Sequence, residues 1–220
     1  MNKIIRNIQK IQINLLIEIV LNIYLAYTFL RLWIHPQFSD IDMIYSLTVM
    51  ILFEFVMVHS GVFMTAFGKS WKAWLFLIIF YGAFALAFNS IVSDNQIIII
   101  YCTVVLNRML PKILNKGKTD NRKELGISVG YSMIYIILIT IVALSSGIIP
   151  QFGLTPEFLE VANYNTVNGG IDWEFFDMPY IVMCFGVLYY FALTIVDVAL
   201  IIRKVKIPLI KDDNKSTKLR

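Results

Sequence analysis

The chain has 220 residues, 58% of them hydrophobic and 15% charged, with a mean hydropathy of +0.72 and a net charge of +4. Soluble domains average about 45–50% apolar and about 25% charged residues, so the polar residues are too few to wrap a water-soluble core. Six spans of about 20 residues would use more than half of the chain and exclude a separate soluble domain. The expected fold is therefore all-α. It is a polytopic integral membrane bundle of six transmembrane helices, one membrane domain over 1–220, with five helices as the alternative.

The first apolar run, 11–34, follows Lys3, Arg6 and Lys10. It is 24 residues long, against about 7–15 for the apolar region of a signal peptide, and no small-x-small cleavage pattern follows, so it is expected to remain as an anchor. The further spans expected are 43–67, 71–92, 96–114, 125–149 and 179–202. The stretch 71–114 is nearly continuous in hydropathy. Only Asn89, Ser90, Ser93, Asp94, Asn95 and Gln96 divide it, and a single helix there would give five spans.

Charge favours six. The N-terminus, the turn carrying Lys69 and Lys72, the loop carrying Arg108 to Lys123, and the tail from Arg203 hold 18 of the 19 Lys and Arg residues. An even number of spans puts all four on one side, which the positive-inside bias makes cytoplasmic. Both termini are then cytoplasmic, and the expected location is the cell membrane. The basic pI of about 9.0 becomes a mark of topology rather than of nucleic-acid binding, and no nucleic-acid partner is expected. Arg31 alone lies near the opposite face.

The outer loop 150–178 is the only sizeable segment outside the spans. Thr155-Pro156-Glu157 reads as an N-cap, a first-turn proline and a first-turn acid, so a short interfacial helix is expected. Asn168-Gly169-Gly170 is a turn signal, and Trp173, Phe175 and Phe176 suit a membrane interface. The five acids of this loop follow from a topology that excludes Lys and Arg, although they also offer an attraction for cations.

An ionisable side chain at the centre of a span costs about 2.5–3.5 kcal/mol on insertion scales, so each marks a candidate site. At 1.5 Å per residue from the cytoplasmic ends, Asp197 lies about 8 Å deep, Glu18 about 10 Å, His59 about 12 Å and Glu54 about 20 Å. Asn14, Glu18 and Asn22 recur at four-residue spacing and draw a polar stripe on the first span. Tyr190, Thr194 and Asp197 do the same on the last, and Ser128, Tyr131, Ser132 and Tyr135 gather in the fifth. Together with His59 these define an expected polar cavity in the inner half. Glu54 and His59 are five residues apart, about 140° around a helix, so each needs a partner on another helix. Asp197 has Arg203, Lys204 and Arg108 as candidate ion-pair partners. Asn107 and Arg108 stand beside Pro111 at the inner end of the fourth span, where a proline frees a carbonyl.

Two histidines, His35 and His59, on opposite halves of the membrane do not make a metal centre by themselves, and Cys102 and Cys184 each lie in an apolar run as small hydrophobes. The chain has no His-Glu-x-x-His helix, no Gly-x-Ser-x-Gly elbow and no glycine-rich phosphate loop. No metal, cofactor or catalytic residue is expected. Three functions fit: a small transporter or channel, proton-coupled through Glu18, Glu54, His59 and Asp197; an accessory or assembly subunit of a larger membrane complex; and an enzyme acting on lipid or quinone. Expected partners are the bilayer, and a second copy or a subunit of a membrane complex.

Overall fold

The computed structural model describes residues 2–67, 71–91, 97–99, 102, 121–164 and 174–216. Hydrocarbon offers no partner to a backbone N–H or C=O, which makes the helix the self-sufficient conformation for an apolar chain. Among the described residues there is no strand. The helices are α1 (Asn2–Ile34), α2 (Ile41–Phe67), α3 (Trp71–Asn89), α4 (Asn121–Leu144), α5 (Pro156–Val161), α6 (Glu174–Asp177) and α7 (Pro179–Ser216). Leu16–Ile34, Phe38–Ser60 (α2 with the 3-10 turn Phe38–Asp40 before it), Leu125–Leu144 and Pro179–Ile202 are long and apolar enough to cross a membrane, while the apolar part of α3, Leu75–Asn89, is shorter.

Several boundaries differ from the sequence reading, among them the end of α7, at Ser216 rather than 202. α1 begins at Asn2, nine residues before the apolar run, because Lys, Gln and Arg are good helix formers even where they are too polar for hydrocarbon. α4 stops at Leu144 rather than at 149. Ser145-Ser146-Gly147 diverts the chain into a 3-10 turn over Ser146–Ile148, since serine offers its backbone local alternatives and glycine weakens a helix. α3 ends at Asn89 and continues as a turn through Ser90 and Ile91, so no single helix spans 71–114. Most of 96–114, with Asn107, Arg108 and Pro111, lies outside the described residues, as do Asn168-Gly169-Gly170 and Trp173.

The chain forms two compact units, Met1–Leu30 with Gly186–Arg220, and Arg31–Phe185. In the first unit α1 and α7 run antiparallel. The Phe29 ring stacks on Tyr190 at 5.7 Å and lies directly over Gly186, where an added Cβ would overlap it. A small residue here lets two helices approach closely. Seven residues along each helix, Asn22 meets Asp197, so the seam repeats at the two-turn interval of coiled-coil packing.

In the second unit α2 packs against both α4 and α3. Ile44, Val49 and Phe53 are fully buried along α2, and Tyr135 of α4 is buried beside them. Phe53 meets Phe88 of α3 at 5.7 Å, and Tyr135 meets Phe185 edge-on at 4.9 Å. By contrast Phe76, Ile79 and Leu86 of α3 are more than three-fifths exposed. A helix facing water carries polar residues on that side, whereas these side chains suit lipid.

The loop after α4 is fastened within this unit. Trp33 donates its indole N–H to the Pro150 carbonyl at 2.9 Å, and the Gly153 N–H donates to the Trp33 carbonyl at 3.1 Å. Phe152 meets Trp33 edge-on at 5.0 Å, Phe38 stacks on Phe158 at 5.3 Å, and Tyr45 meets Phe176 at 5.5 Å. Arg31 donates to Asp40 at 2.8 Å, and the other Asp40 oxygen accepts from the Gln37 N–H. α5 forms as expected: Thr155 accepts from the Phe158 N–H, and Pro156 opens the helix. Hydrogen bonds from its own N–H and from Thr155 hold the Glu157 carboxyl below its ordinary range. Asn163, in the left-handed region at φ 54°, takes the chain out of the helix, a conformation asparagine tolerates. Tyr164 is 1% exposed, and among the described residues its hydroxyl has no hydrogen-bond partner within bonding geometry, with Thr48 nearby.

Gly153→Ala is expected to loosen this fastening, because the new Cβ would fall 2.8 Å from the Ile34 carbonyl oxygen and overlap Pro36. Overpacking of this kind costs about 1–3 kcal/mol. Tyr164→Phe removes a buried hydroxyl that has no hydrogen bond among the described residues, a group that costs about 1–3 kcal/mol, and is expected to stabilise. Thermal unfolding of the two variants in detergent, followed by tryptophan fluorescence, should shift the midpoint in opposite directions.

Candidate functional site

The first unit encloses one acid among its described residues. Asp197 is 2% exposed, and the Asn22 side-chain N–H₂ donates to its Oδ2 at 3.0 Å. The heptad seam brings the two together, with Phe29 and Tyr190 fixing the register one heptad away. Asn22 thus supplies a partner that the sequence reading sought among Arg203, Lys204 and Arg108. Thr194, one turn from Asp197 on the same helix, returns its hydroxyl to the Tyr190 carbonyl at 2.9 Å. Glu18 lies one turn from Asn22 on an exposed part of α1. The Asn14 backbone continues the helix, and its side chain lies outside the described residues. A carboxyl group that accepts from an amide in an apolar helix pair can bind a proton or a small cation.

The second unit holds His59 and Glu54. The His59 ring places Nδ1 2.7 Å from the carbonyl oxygen of Phe55 and Nε2 3.3 Å from Oγ of Ser132 on α4. A carbonyl only accepts, so Nδ1 carries the hydrogen. In the neutral ring Nε2 is then the acceptor and Ser132 the donor. The cross-helix partner expected for His59 is therefore Ser132. Glu54, five residues earlier, is half-buried. Tyr135 of α4 donates to the Ile51 carbonyl at 2.8 Å. Ser60 bonds back to Met57 at 2.7 Å, which keeps it away from its neighbour His59. The polar residues of α2 and α4 thus tie these helices to each other.

The inner cavity expected from sequence draws on both units, and within each unit the structure gives a local pairing: Asn22 with Asp197, and His59 with Ser132. Among the described residues no group of three or more His, Cys, Asp or Glu side chains is placed to hold a metal ion. Both cysteines are free, Cys184 buried and Cys102 exposed. The sequence reading missed the aromatic and glycine contacts that set these pairings. Gly186, alone among the apolar residues at the start of α7, carried a signal for Phe29, and Trp33 beside the loop carried none, because its partner is a backbone carbonyl.

The fold defines a class: an all-helical chain with four described helices of membrane-spanning length and hydropathy. The chain matches no family model, and no curated protein or solved structure resembles it at a significant level.

Replacing Asn22 or Asp197 singly by leucine leaves one polar group without its partner, while the double replacement removes both. A double-mutant cycle on unfolding in mixed micelles should give a coupling of about 0.6 to 1.7 kcal/mol, the range for hydrogen bonds between membrane helices. Additive effects would show that the contact carries no net energy.

Proposed function

We propose that this chain is a six-span protein of the cell membrane, with both termini in the cytoplasm, and that it works as a small proton-coupled transporter or channel. The observation that carries the reading is Asp197, a nearly inaccessible carboxyl in an apolar helix whose amide partner stands on another helix. Burying a carboxyl in hydrocarbon is expensive and serves bundle packing poorly when an apolar side chain would fit, so proton or ion passage is the use that justifies it. The six-span topology rests on the alternation of 18 of the 19 basic residues, together with the break after Asn89.

A second reading, an accessory subunit of a membrane complex, is favoured by α1. Its exposed face sets Glu18 among Leu16, Ile17, Val20 and Leu21, an arrangement better suited to a protein neighbour than to lipid.

In proteoliposomes under a pH gradient, Asp197→Asn is expected to abolish solute or proton flux while the protein stays folded and monodisperse. Flux equal to the parent protein would remove Asp197 from the pathway. Cysteines introduced at residues 2 and 219 should react with an impermeant maleimide only after the membrane is opened. Labelling of one terminus in intact cells would leave an odd number of spans.

A further inference from the structure

Among the described residues, the hydrogen bonds and ring contact of the His59 imidazole fall on two neighbours. Nδ1 lies 2.7 Å from the Phe55 carbonyl, Nε2 lies 3.3 Å from Ser132 Oγ, and the Phe55 ring sits 4.3 Å from the imidazole, tilted by 46°. The short Nδ1 bond requires a hydrogen whether the ring is neutral or charged. Only Nε2 has a choice. When it is bare it accepts from Ser132; when it is protonated it donates to the same oxygen.

We propose that His59 is a proton-binding site of α2 and that Ser132 of α4 is its switching partner. In the neutral state the Ser132 hydroxyl hydrogen points at Nε2. When a proton adds to Nε2, the bond reverses. The serine hydrogen then turns to the carbonyl of Ser128, one turn back on α4, which serine hydroxyls in helices commonly reach. No donor or acceptor is left unpaired in either state, so the ring gains or loses charge without breaking the helix contact. The imidazolium gains a stronger, charge-assisted bond to Ser132 and the face of Phe55 as a cation–π surface.

Besides His59, the charged and titratable groups on the elements packed around this point are Asp42, Tyr45 and Glu54 on α2, Tyr131, Tyr135, Arg122, Lys123 and Glu124 on α4, and Lys72 and Tyr81 on α3. None of the α4 charges is closer in sequence to Ser132 than Glu124, eight residues away. Ser132 is thus the group whose removal reports on the switch.

The site deepens the transport reading by naming where a proton sits, and it can be tested without flux. The chain has two histidines, His35 and His59, so protein labelled with nitrogen-15 histidine in lipid nanodiscs gives two imidazole signal sets, assigned with His35→Gln. At high pH His59 is expected to show a protonated Nδ1 and a bare Nε2. On acidification its Nε2 signal should move to the protonated position while Nδ1 stays. Ser132→Ala should lower the proton affinity of His59 by about threefold, the ratio that corresponds to an average interhelical hydrogen bond, and leave His35 unchanged. A ring that stays neutral throughout, a bare Nδ1, or a His59 titration indifferent to Ser132→Ala would overturn the proposal. Should His59 titrate as stated in a protein without flux, the transport reading fails and the proton site stands.

Discussion

A polar side chain among apolar helices has to find its partner in protein, because hydrocarbon supplies none. Much of the internal architecture follows from that constraint. Serine and threonine meet it within their own helix, as Thr28 does with Tyr24, Thr48 with Ile44, and Thr140 with Ile136. Larger groups cannot fold back so easily. Asn22, Tyr135 and His59 each reach a second helix, and in doing so they fix which helices are neighbours and in what register. Apolar packing alone would specify this less sharply, since leucine and isoleucine on one helix fit many rotations of another.

The same constraint explains what the sequence revealed and what it hid. The positions of the long helices among the described residues were legible because hydropathy is summed over some twenty residues and survives local error. The ends were less legible: the polar first turns of α1 are helical although they cannot lie in hydrocarbon, and Ser145-Ser146-Gly147 ends α4 earlier than hydropathy does. Thr155-Pro156-Glu157 was readable because a cap depends only on neighbours in sequence. Asn22 and Asp197 could each be recognised as unusual, but their pairing could not be read, because nothing local to either residue encodes the antiparallel register of α1 and α7. That register is set by Phe29 over Gly186, a contact of shape rather than of pattern. Ser132 was visible only as one of several hydroxyls on its helix, and the geometry at His59 singles it out.

The loop after α4 meets a different demand. Its backbone must be satisfied without a regular helix, and it borrows partners from the end of α1: the Trp33 indole for the Pro150 carbonyl, and the Trp33 carbonyl for the Gly153 N–H. Phe152 adopts a φ of 47°, in the left-handed region, between those two bonds. A bulky residue there is strained, and the edge-on contact with Trp33 is the compensation that the structure offers.

The distance along the chain between Asn22 and Asp197 has a consequence for biosynthesis. The two residues are separated by 175 positions, and a ribosome adding about 5–20 residues per second needs about 10 to 35 seconds to pass from one to the other. For that interval the first helix exists without the last. Its asparagine, and Glu18 one turn away, must be sheltered by the insertion machinery, by lipid headgroups or by temporary neighbours until α7 arrives. Truncation before α7 would thus leave the asparagine of the first helix without its lasting partner, and quality-control proteases that survey membrane helices for exposed polar groups would have a target at the start of the chain for a defect at its end.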